Sequence, residues 1–438
     1  MLNRLVAAIA LGVIAQSASA VPFFAKQTGV ECSTCHVSYP ELTEFGRQFK
    51  LTGYTLGTRT IPLSAMVMAS YTKVSKNHQV VGGQGPDGDQ DIDFPFTHNG
   101  QGVLQQASLF TGGKILDNVG AFVQWTYDGL AHHAQMDNLD VRFANTGTLS
   151  GKNLIYGVSL NNNPTTQDVF NSVPAWSFPF AAPSGTDPNP FPGPVGGTQL
   201  EGGLSSTVGG IGPYIDFNNM LYAEVNLYTT AKGLLAFNRL GVPPADRLLL
   251  DGAAPYWRLA YHDTSGNRSW EVGALGLNGK IHVDNTDPNS LSDKFTDTGI
   301  DAQYQIVDGD KRISFQTSLI HEKLDWNVDA GNSNASDTFN SFKLKGSYFW
   351  NKHWGATLGY FSTDGSTDAA YYGTANGSPN SNGYIAELDY QPIDKVRLSV
   401  QYTGYTKFNG ASSGYDPSNT DRKASDNNTV YLSVWAAF

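Results

Sequence analysis

From residue 60 to the C-terminus, the chain consists of segments in which polar and apolar residues alternate. In the segment from Val396 to Tyr402 every second residue is apolar, and the residues between them are Arg397, Ser399 and Gln401. A period of two is the period of β-strands. Polar residues on one face and aromatic residues on the other are typical of a transmembrane β-barrel. A soluble β-sandwich has the same period, so the alternation by itself leaves both architectures open.

The connections between these segments alternate in length. Short turns recur at Leu116–Gly120, Asp216–Asn219, Asp263–Arg268, Val307–Lys311, Trp350–Lys352 and Gln391–Lys395. Long segments separate them at Ser75–Gly102, Asn161–Gly203, Ala231–Pro255, Lys280–Asp293, Asp325–Asp337, Ser362–Asn382 and Lys407–Asn428. Outer-membrane barrels show this pattern, with short periplasmic turns and long external loops. We therefore expect an all-β chain in which residues 60–438 form a porin-like antiparallel barrel of about 16 strands, ending in the terminal aromatic residue typical of such barrels.

Composition and the first residues agree with export to a membrane. Charged residues make up 15% of the chain and the formal net charge is −11, which argues against a nucleic-acid partner because phosphate binding needs a basic face. Arg4 precedes the apolar run Leu5–Ile14, and Ala18-Ser19-Ala20 is a cleavage pattern. Residues 1–20 therefore read as a signal peptide. After Ala20, no apolar run reaches the ~18 residues of a transmembrane helix.

The two cysteines of the chain both lie in one motif, Cys32-Ser33-Thr34-Cys35-His36. This motif predicts one covalent c-type haem, with thioethers on both thiols and the imidazole on the iron. The alternative is a disulfide between the cysteines, either structural or thioredoxin-like. Pro40 suits the first position of a following helix, whose apolar side chains are Leu42, Phe45 and Phe49. Residues 21–59 would form a short α-helical haem segment that is too small to bury a haem without help from the barrel.

The sequence leaves the sixth ligand of the iron open. Met66 and Met68 share the strand face of Ser64 and Ser70, which would face the lumen. His262 lies near a predicted periplasmic turn, and His353 lies at another. These four residues are the candidates, and a methionine would favour a higher potential than a second histidine. A water-bound position is the remaining possibility.

An acidic series in the first long loop could bind a cation outside the membrane. Carboxylates occupy every second position, at Asp87, Asp89, Asp91 and Asp93. Hard oxygen ligands suit iron(II), calcium or magnesium. The series begins like a calcium loop but lacks the closing glutamate, so a solvated acidic loop is the simpler interpretation. No convincing motif for a nucleophile or catalytic triad is present.

The residues around the haem motif resemble the fused monohaem cytochrome c–porin family of the outer membrane, as in iron-oxidising bacteria. The likeness lies in the lead-in Val21–Gly29, the haem motif and the tail from Pro40 to Tyr54, and it continues in the loop from Asn163 to Trp176. The resemblance implies a haem segment that plugs or docks at a barrel of about sixteen strands. It also implies electron transfer from extracellular Fe(II) to a periplasmic carrier such as a soluble cytochrome or copper protein. Such an activity would be of the Fe(II):cytochrome c oxidoreductase type, in a Gram-negative outer membrane.

Two other functions are compatible with the same residues. The haem could serve as a conduit for another electron donor, or carry electrons outward to an extracellular acceptor. The chain could also be a diffusion porin whose haem segment acts as a plug or sensor. The sequence does not separate these possibilities.

Overall fold

The computed structural model of the chain describes residues 23–38, 40–60, 63–76, 99–173, 177–179, 181, 183, 193–327, 334–416 and 421–438. The predicted signal peptide, residues 1–20, lies outside the described residues. So does the acidic series Asp87, Asp89, Asp91 and Asp93. In the described part of the chain, no helix has both the length and the apolar character that a membrane span requires.

The first described residues form a compact helical segment. Its elements are α1 (Phe23–Thr28), α2 (Cys32–Cys35), β1 (His36–Ser38), β2 (Glu41–Leu42) and α3 (Glu44–Leu51). The two short strands pair with each other in an antiparallel hairpin, with His36 opposite Leu42. Helix α3 begins at Glu44 because the Thr43 side chain caps it by accepting a hydrogen bond from the backbone N–H of Gly46. The sequence-based expectation of a helix beginning at Pro40 was therefore wrong by one turn.

Sixteen strands of the described chain close into one antiparallel barrel, which confirms the expected fold. The strands are β3 (Leu63–Val74), β4 (Gln101–Leu116), β5 (Val119–Asp128), β6 (His133–Leu149), β7 (Lys152–Asn161), β8 (Val208–Phe217), β9 (Leu221–Thr230), β10 (Ala254–Ser265), β11 (Arg268–His282), β12 (Ser292–Asp308), β13 (Lys311–Asp325), β14 (Ser336–Trp350), β15 (Trp354–Gly365), β16 (Ser381–Ile393), β17 (Val396–Lys407) and β18 (Thr429–Ala437). Each strand pairs with its neighbours in the chain, and β18 closes the barrel by pairing with β3. A single short helix, α4 (Ala369–Tyr372), lies in the connection before β16.

Alternation along each strand separates a lipid face from a lumen face. On β3, Met66 and Met68 are buried inside the barrel, whereas Leu63 is 61% exposed on its outer surface. Large apolar side chains are exposed on the outside of many strands, for example Ile300 and Leu358. An apolar outer face with a polar interior is the arrangement of a membrane-spanning barrel. The predicted inward direction of the two methionines is therefore what the structure shows.

The connections of two or three residues all lie at one end of the barrel, which we call the short-turn end, whereas the four-residue connection 129–132 between β5 and β6 lies at the other end. They include the predicted turns and one more, Ser150–Gly151, which the sequence pattern did not single out. Both residues of this turn have positive φ angles, of 52° and 73°, and glycine adopts such angles without steric cost. By the rule for bacterial barrels, this end faces the periplasm.

The connection after β7 runs into the barrel instead of outward. Every residue from 162 to 173, which we call the lumen loop, is buried. Asp168 shapes the loop by accepting hydrogen bonds from the backbone N–H groups of Phe170 and Asn171, at 3.1 and 3.0 Å. Placing this connection outside the membrane from its length was therefore wrong for these residues. Its polar residues find partners on the lumen wall, which an external loop would not need.

Candidate functional site

The cysteine motif lies in the helical segment, with its side chains turned toward the lumen. Cys32 is 6% exposed, and no disulfide joins it to Cys35. His36 follows directly on β1, where its backbone carbonyl accepts a hydrogen bond from Arg312 of the barrel wall at 2.9 Å. Burial lowers the pKa of the His36 imidazole to about 4. The ring is therefore neutral near pH 7, which is the form that binds a metal.

These three side chains border a cavity of about 470 Å³ between the segment and the barrel wall. The segment contributes Cys32, Cys35, His36, Leu42 and Phe49, and the wall contributes Met66, Met68, Phe110, Phe122 and Trp435. The volume lies in the range of pockets for drug-sized ligands and cofactors, and the lining is mainly apolar and aromatic. Two thiols and a buried neutral imidazole on one apolar cavity are the donor set that a c-type haem requires. The residues present therefore fit this group.

The structure brings the motif together with the two candidate methionines and with neither candidate histidine. Met66 and Met68 both border the cavity. The Nε2 atom of His262 instead lies 2.8 Å from a carboxylate oxygen of Asp216, and its ring packs against Phe170. His353 lies at the short-turn end, where its Nδ1 atom is 2.7 Å from the backbone carbonyl oxygen of Gln391.

The helical segment lies at the short-turn end and contacts the barrel wall there. Glu44 accepts a hydrogen bond from Thr264, near the end of β10, at 3.0 Å. Lys352, in the turn before β15, forms an ion pair with Glu31 at 3.0 Å. Since both partners of this pair are about half exposed, it contributes little to stability. These contacts place the motif near the rim of the short-turn end.

Buried polar contacts hold the segment more firmly than those at the rim. The Glu41 carboxylate is 1% exposed; it accepts hydrogen bonds from Gln305 and Ser314 and forms an ion pair with Lys345 at 3.3 Å. The Arg47 guanidinium donates to Gln305 at 2.9 Å. Such a network holds one geometry because each buried group depends on its partners.

The segment also interlocks with the lumen loop and the adjacent wall. Lys50 donates hydrogen bonds to the backbone carbonyls of Thr166 and Asp168. The hydroxyl of Tyr54 donates to Asp140 at 2.6 Å. Burial, together with the nearby Arg142, lowers the pKa of the Lys50 ammonium to about 8. The lumen loop therefore packs on the helical segment as well as on the barrel.

Several residues of the cavity were not recognised from the sequence. Phe110, Phe122 and Trp435 were assigned to strands, and strand parity could have placed them in the lumen beside the methionines. Lys50 lies in the range from Pro40 to Tyr54, which resembles the cytochrome c–porin family, but the sequence assigned it no role. Asn171 borders the cavity from the lumen loop, and no pattern in the sequence pointed to it. Phe45, one of the apolar residues of the predicted helix, borders a second cavity at the rim instead.

The solved structures that this chain resembles are outer-membrane proteins of remote sequence. No family model and no curated protein matches the chain. Among solved structures, the outer-membrane channel DcaP of Acinetobacter baumannii is 13% identical, with a TM-score of 0.47, over 86% of this chain and 97% of that one. An anion-selective porin from Comamonas acidovorans is 12% identical, with a TM-score of 0.46, over 86% and 99%. The loop L8 deletion mutant of OmpT, an outer-membrane protein of Vibrio cholerae, is 12% identical, with a TM-score of 0.45, over 86% and 99%.

Proposed function

We propose that this chain transfers electrons across the outer membrane through one covalent c-type haem held inside its barrel. The donor we propose is extracellular Fe(II), and the acceptor is a periplasmic carrier such as a soluble cytochrome or copper protein. The observation that carries the proposal is the cavity that joins Cys32, Cys35 and His36 to two lumen-facing methionines. Iron(II) as the donor rests on the resemblance of residues 21–54 to the cytochrome c–porin family.

In this proposal the chain's own residues would attach, orient and insulate the haem. Cys32 and Cys35 would hold it through thioethers, and His36 would hold the iron through an imidazole nitrogen. Met66 or Met68 would offer a thioether sulfur as a second ligand, and Phe110, Phe122 and Trp435 would exclude water from the cavity. When bound, the haem would supply one-electron redox chemistry. An apolar surrounding and a methionine ligand would both favour the reduced iron and so raise the potential.

The position of the cavity supports electron exit toward the periplasm. The haem segment lies at the short-turn end, and Ser33 and Thr34, between the two cysteines, border a second cavity at the rim of about 500 Å³. A carrier docked at this rim would stand next to the attachment motif. The donor would approach from the other end of the lumen. The lumen loop lies inside the barrel, which argues against a freely open channel.

Reduction by Fe(II) tests the proposed donor directly. Purified full-length protein in detergent, oxidised and then mixed anaerobically with Fe(II), should develop the absorbance of a reduced c-type haem. The same protein mixed with Mn(II) at equal ionic strength is the control and should remain oxidised. Intact haem that Fe(II) does not reduce would contradict Fe(II) oxidation and favour another donor or outward flow. Liposomes that pass small solutes freely would favour the diffusion porin.

The methionine ligand is testable with nearly volume-conserving substitutions. Met66→Leu or Met68→Leu should abolish the methionine–iron(III) charge-transfer band and lower the midpoint potential, because the thioether sulfur is removed. Each swap should cost less than ~1.5 kcal/mol in stability. Met136→Leu is the matched control, since Met136 is also buried but does not border the cavity. Retention of the parent spectrum when both methionines are replaced would exclude them as ligands.

A further inference from the structure

Besides the cysteines and the histidine, two buried side chains with nitrogen donors border the cavity where the segment meets the lumen loop. These are the ammonium of Lys50, on α3, and the side-chain amide of Asn171, in the lumen loop. Each residue is only 7% exposed. Buried donors of this kind need acceptors, and a buried charge needs a counter-charge or strong hydrogen bonds. The one carboxylate on the described lining, Glu31, is about half exposed and pairs with Lys352 instead.

The hydrogen bonds of Lys50 leave capacity for an anion. Its ammonium has three N–H donors, and the two acceptors that it has in the structure are the backbone carbonyls of Thr166 and Asp168. The Asp168 carboxylate is engaged elsewhere, by Arg258 at 3.2 Å and by backbone N–H groups of its own loop. Among the described residues, no carboxylate forms an ion pair with Lys50. The ammonium therefore donates hydrogen bonds only to neutral carbonyls, and the carboxylates of Asp140, Asp168 and Glu224 act on its charge from beyond hydrogen-bond distance.

Asn171 presents a donor that the protein itself does not use. Its Nδ2 atom is buried and has no hydrogen-bond partner among the described residues. The residue has a φ of 52°, in the left-handed region that asparagine tolerates. Its backbone N–H is held by Asp168 at 3.0 Å, so the backbone that carries the amide is fixed in place. A fixed, buried and unused donor on a cavity wall points to a ligand atom.

We infer that Lys50 and Asn171 form an anion subsite that binds a propionate of the haem; this inference rests on the proposed function. A haem joined to Cys32 and Cys35 through its vinyl groups carries its two propionates on another edge of the ring. These carboxylates need cationic or hydrogen-bonding partners in a cavity this apolar. Lys50 is the only lysine or arginine among the described residues that border the cavity. The positive charge of the Lys50 ammonium therefore complements the negative charge of a haem propionate.

The subsite would also tune the redox equilibrium. An unpaired propionate stabilises the positive charge of Fe(III), whereas a propionate paired with an ammonium does so less. Removing either donor should therefore favour the oxidised iron. Lys50→Gln removes the charge, and Asn171→Gly removes the donor while tolerating the positive φ of this position. Lys50→Arg keeps the charge and should behave more like the parent.

The test uses the full-length holoprotein in detergent, with redox titration and resonance Raman spectroscopy of the propionate modes. Lys50→Gln and Asn171→Gly should each lower the Fe(II)/Fe(III) ratio at a fixed potential by about tenfold, or ~59 mV for one electron. The propionate modes should shift in both. Lys343→Gln is the matched control, because Lys343 also lies in the lumen but pairs with Glu201 and does not border the cavity. It should leave both measurements unchanged.

The outcomes separate this inference from the proposed function. A parent protein with covalent haem, and variants whose potentials and propionate modes equal those of the parent, would overturn the subsite alone. A parent that carries no covalent haem would overturn both. Heat-modifiable migration on gels checks that each variant has folded. If Lys50→Gln does not fold because the lumen loop is released, Asn171→Gly decides the matter, since it leaves the Lys50 contacts intact.

Discussion

Replacing both cysteines, Cys32→Ser with Cys35→Ser, should abolish covalent haem completely and with it the response to Fe(II). The two sulfurs are the atoms that would form thioethers, and the chain has no other cysteine to substitute for them. The barrel should still fold, because the motif lies in the segment and contributes to none of the sixteen strands. In-gel haem staining after denaturation measures attachment, and heat-modifiable migration measures folding.

The control for this experiment changes the residues between the cysteines. Ser33→Ala with Thr34→Ala keeps the attachment motif and should keep the haem. Thiol titration of the denatured parent addresses the disulfide alternative, because reductant would liberate two thiols from a disulfide and none from thioethers. Release of two thiols from a parent that does not stain for haem would show that the motif is a disulfide.

Arg258→Met should lower the free energy of unfolding by about 3–5 kcal/mol, the usual effect of removing one partner from a buried ion cluster. The Arg258 guanidinium is fully buried on β10. It contacts carboxylate oxygens of Asp168 at 3.2 Å, Glu271 at 2.8 Å and Asp301 at 2.7 Å. Without it, three buried carboxylates would remain beside each other with no counter-charge. Urea unfolding followed by tryptophan fluorescence in detergent or lipid gives the free energy.

The same substitution has a second readout, since Asp168 belongs to the lumen loop. Loss of Arg258 should loosen this loop and raise the conductance of single molecules in planar lipid bilayers. Arg268→Met is the matched control, because Arg268 is exposed at the start of β11 and should change neither quantity. A stability loss below ~1 kcal/mol with parent-like conductance would mean that the cluster does not hold the loop.

The barrel was predictable because the patterns that specify it lie within short stretches of the sequence. Alternation with a period of two assigns each side chain to a face, and strand parity alone is enough to place Met66 and Met68 in the lumen. Turn residues mark one end of the barrel, although Ser150–Gly151 went unnoticed. The start of α3 was less predictable. Pro40 and Thr43 both suit a helix start, and pairing of β1 with β2 made Thr43 the cap.

The candidate site was predictable only in its attachment motif. Cys32, Cys35 and His36 are neighbours in the chain, so their spacing alone indicates the chemistry. Met66 could not be preferred to His262 from the sequence, because the choice depends on which lumen residues come together in three dimensions. The inward course of residues 162–173 was equally unpredictable from the sequence. It depends on partners such as Arg258 and Lys50, which lie far away along the chain.

Under the proposed function, the packing of the helical segment against the lumen loop bears on the order of biogenesis. Lys50, Tyr54 and the lumen loop hold the segment from inside a wall of sixteen strands, and Cys32 is 6% exposed. If the chain carries a covalent haem, we expect the thioether at Cys32 to form before the barrel closes. Closure of the barrel would then enclose the cofactor in its final position.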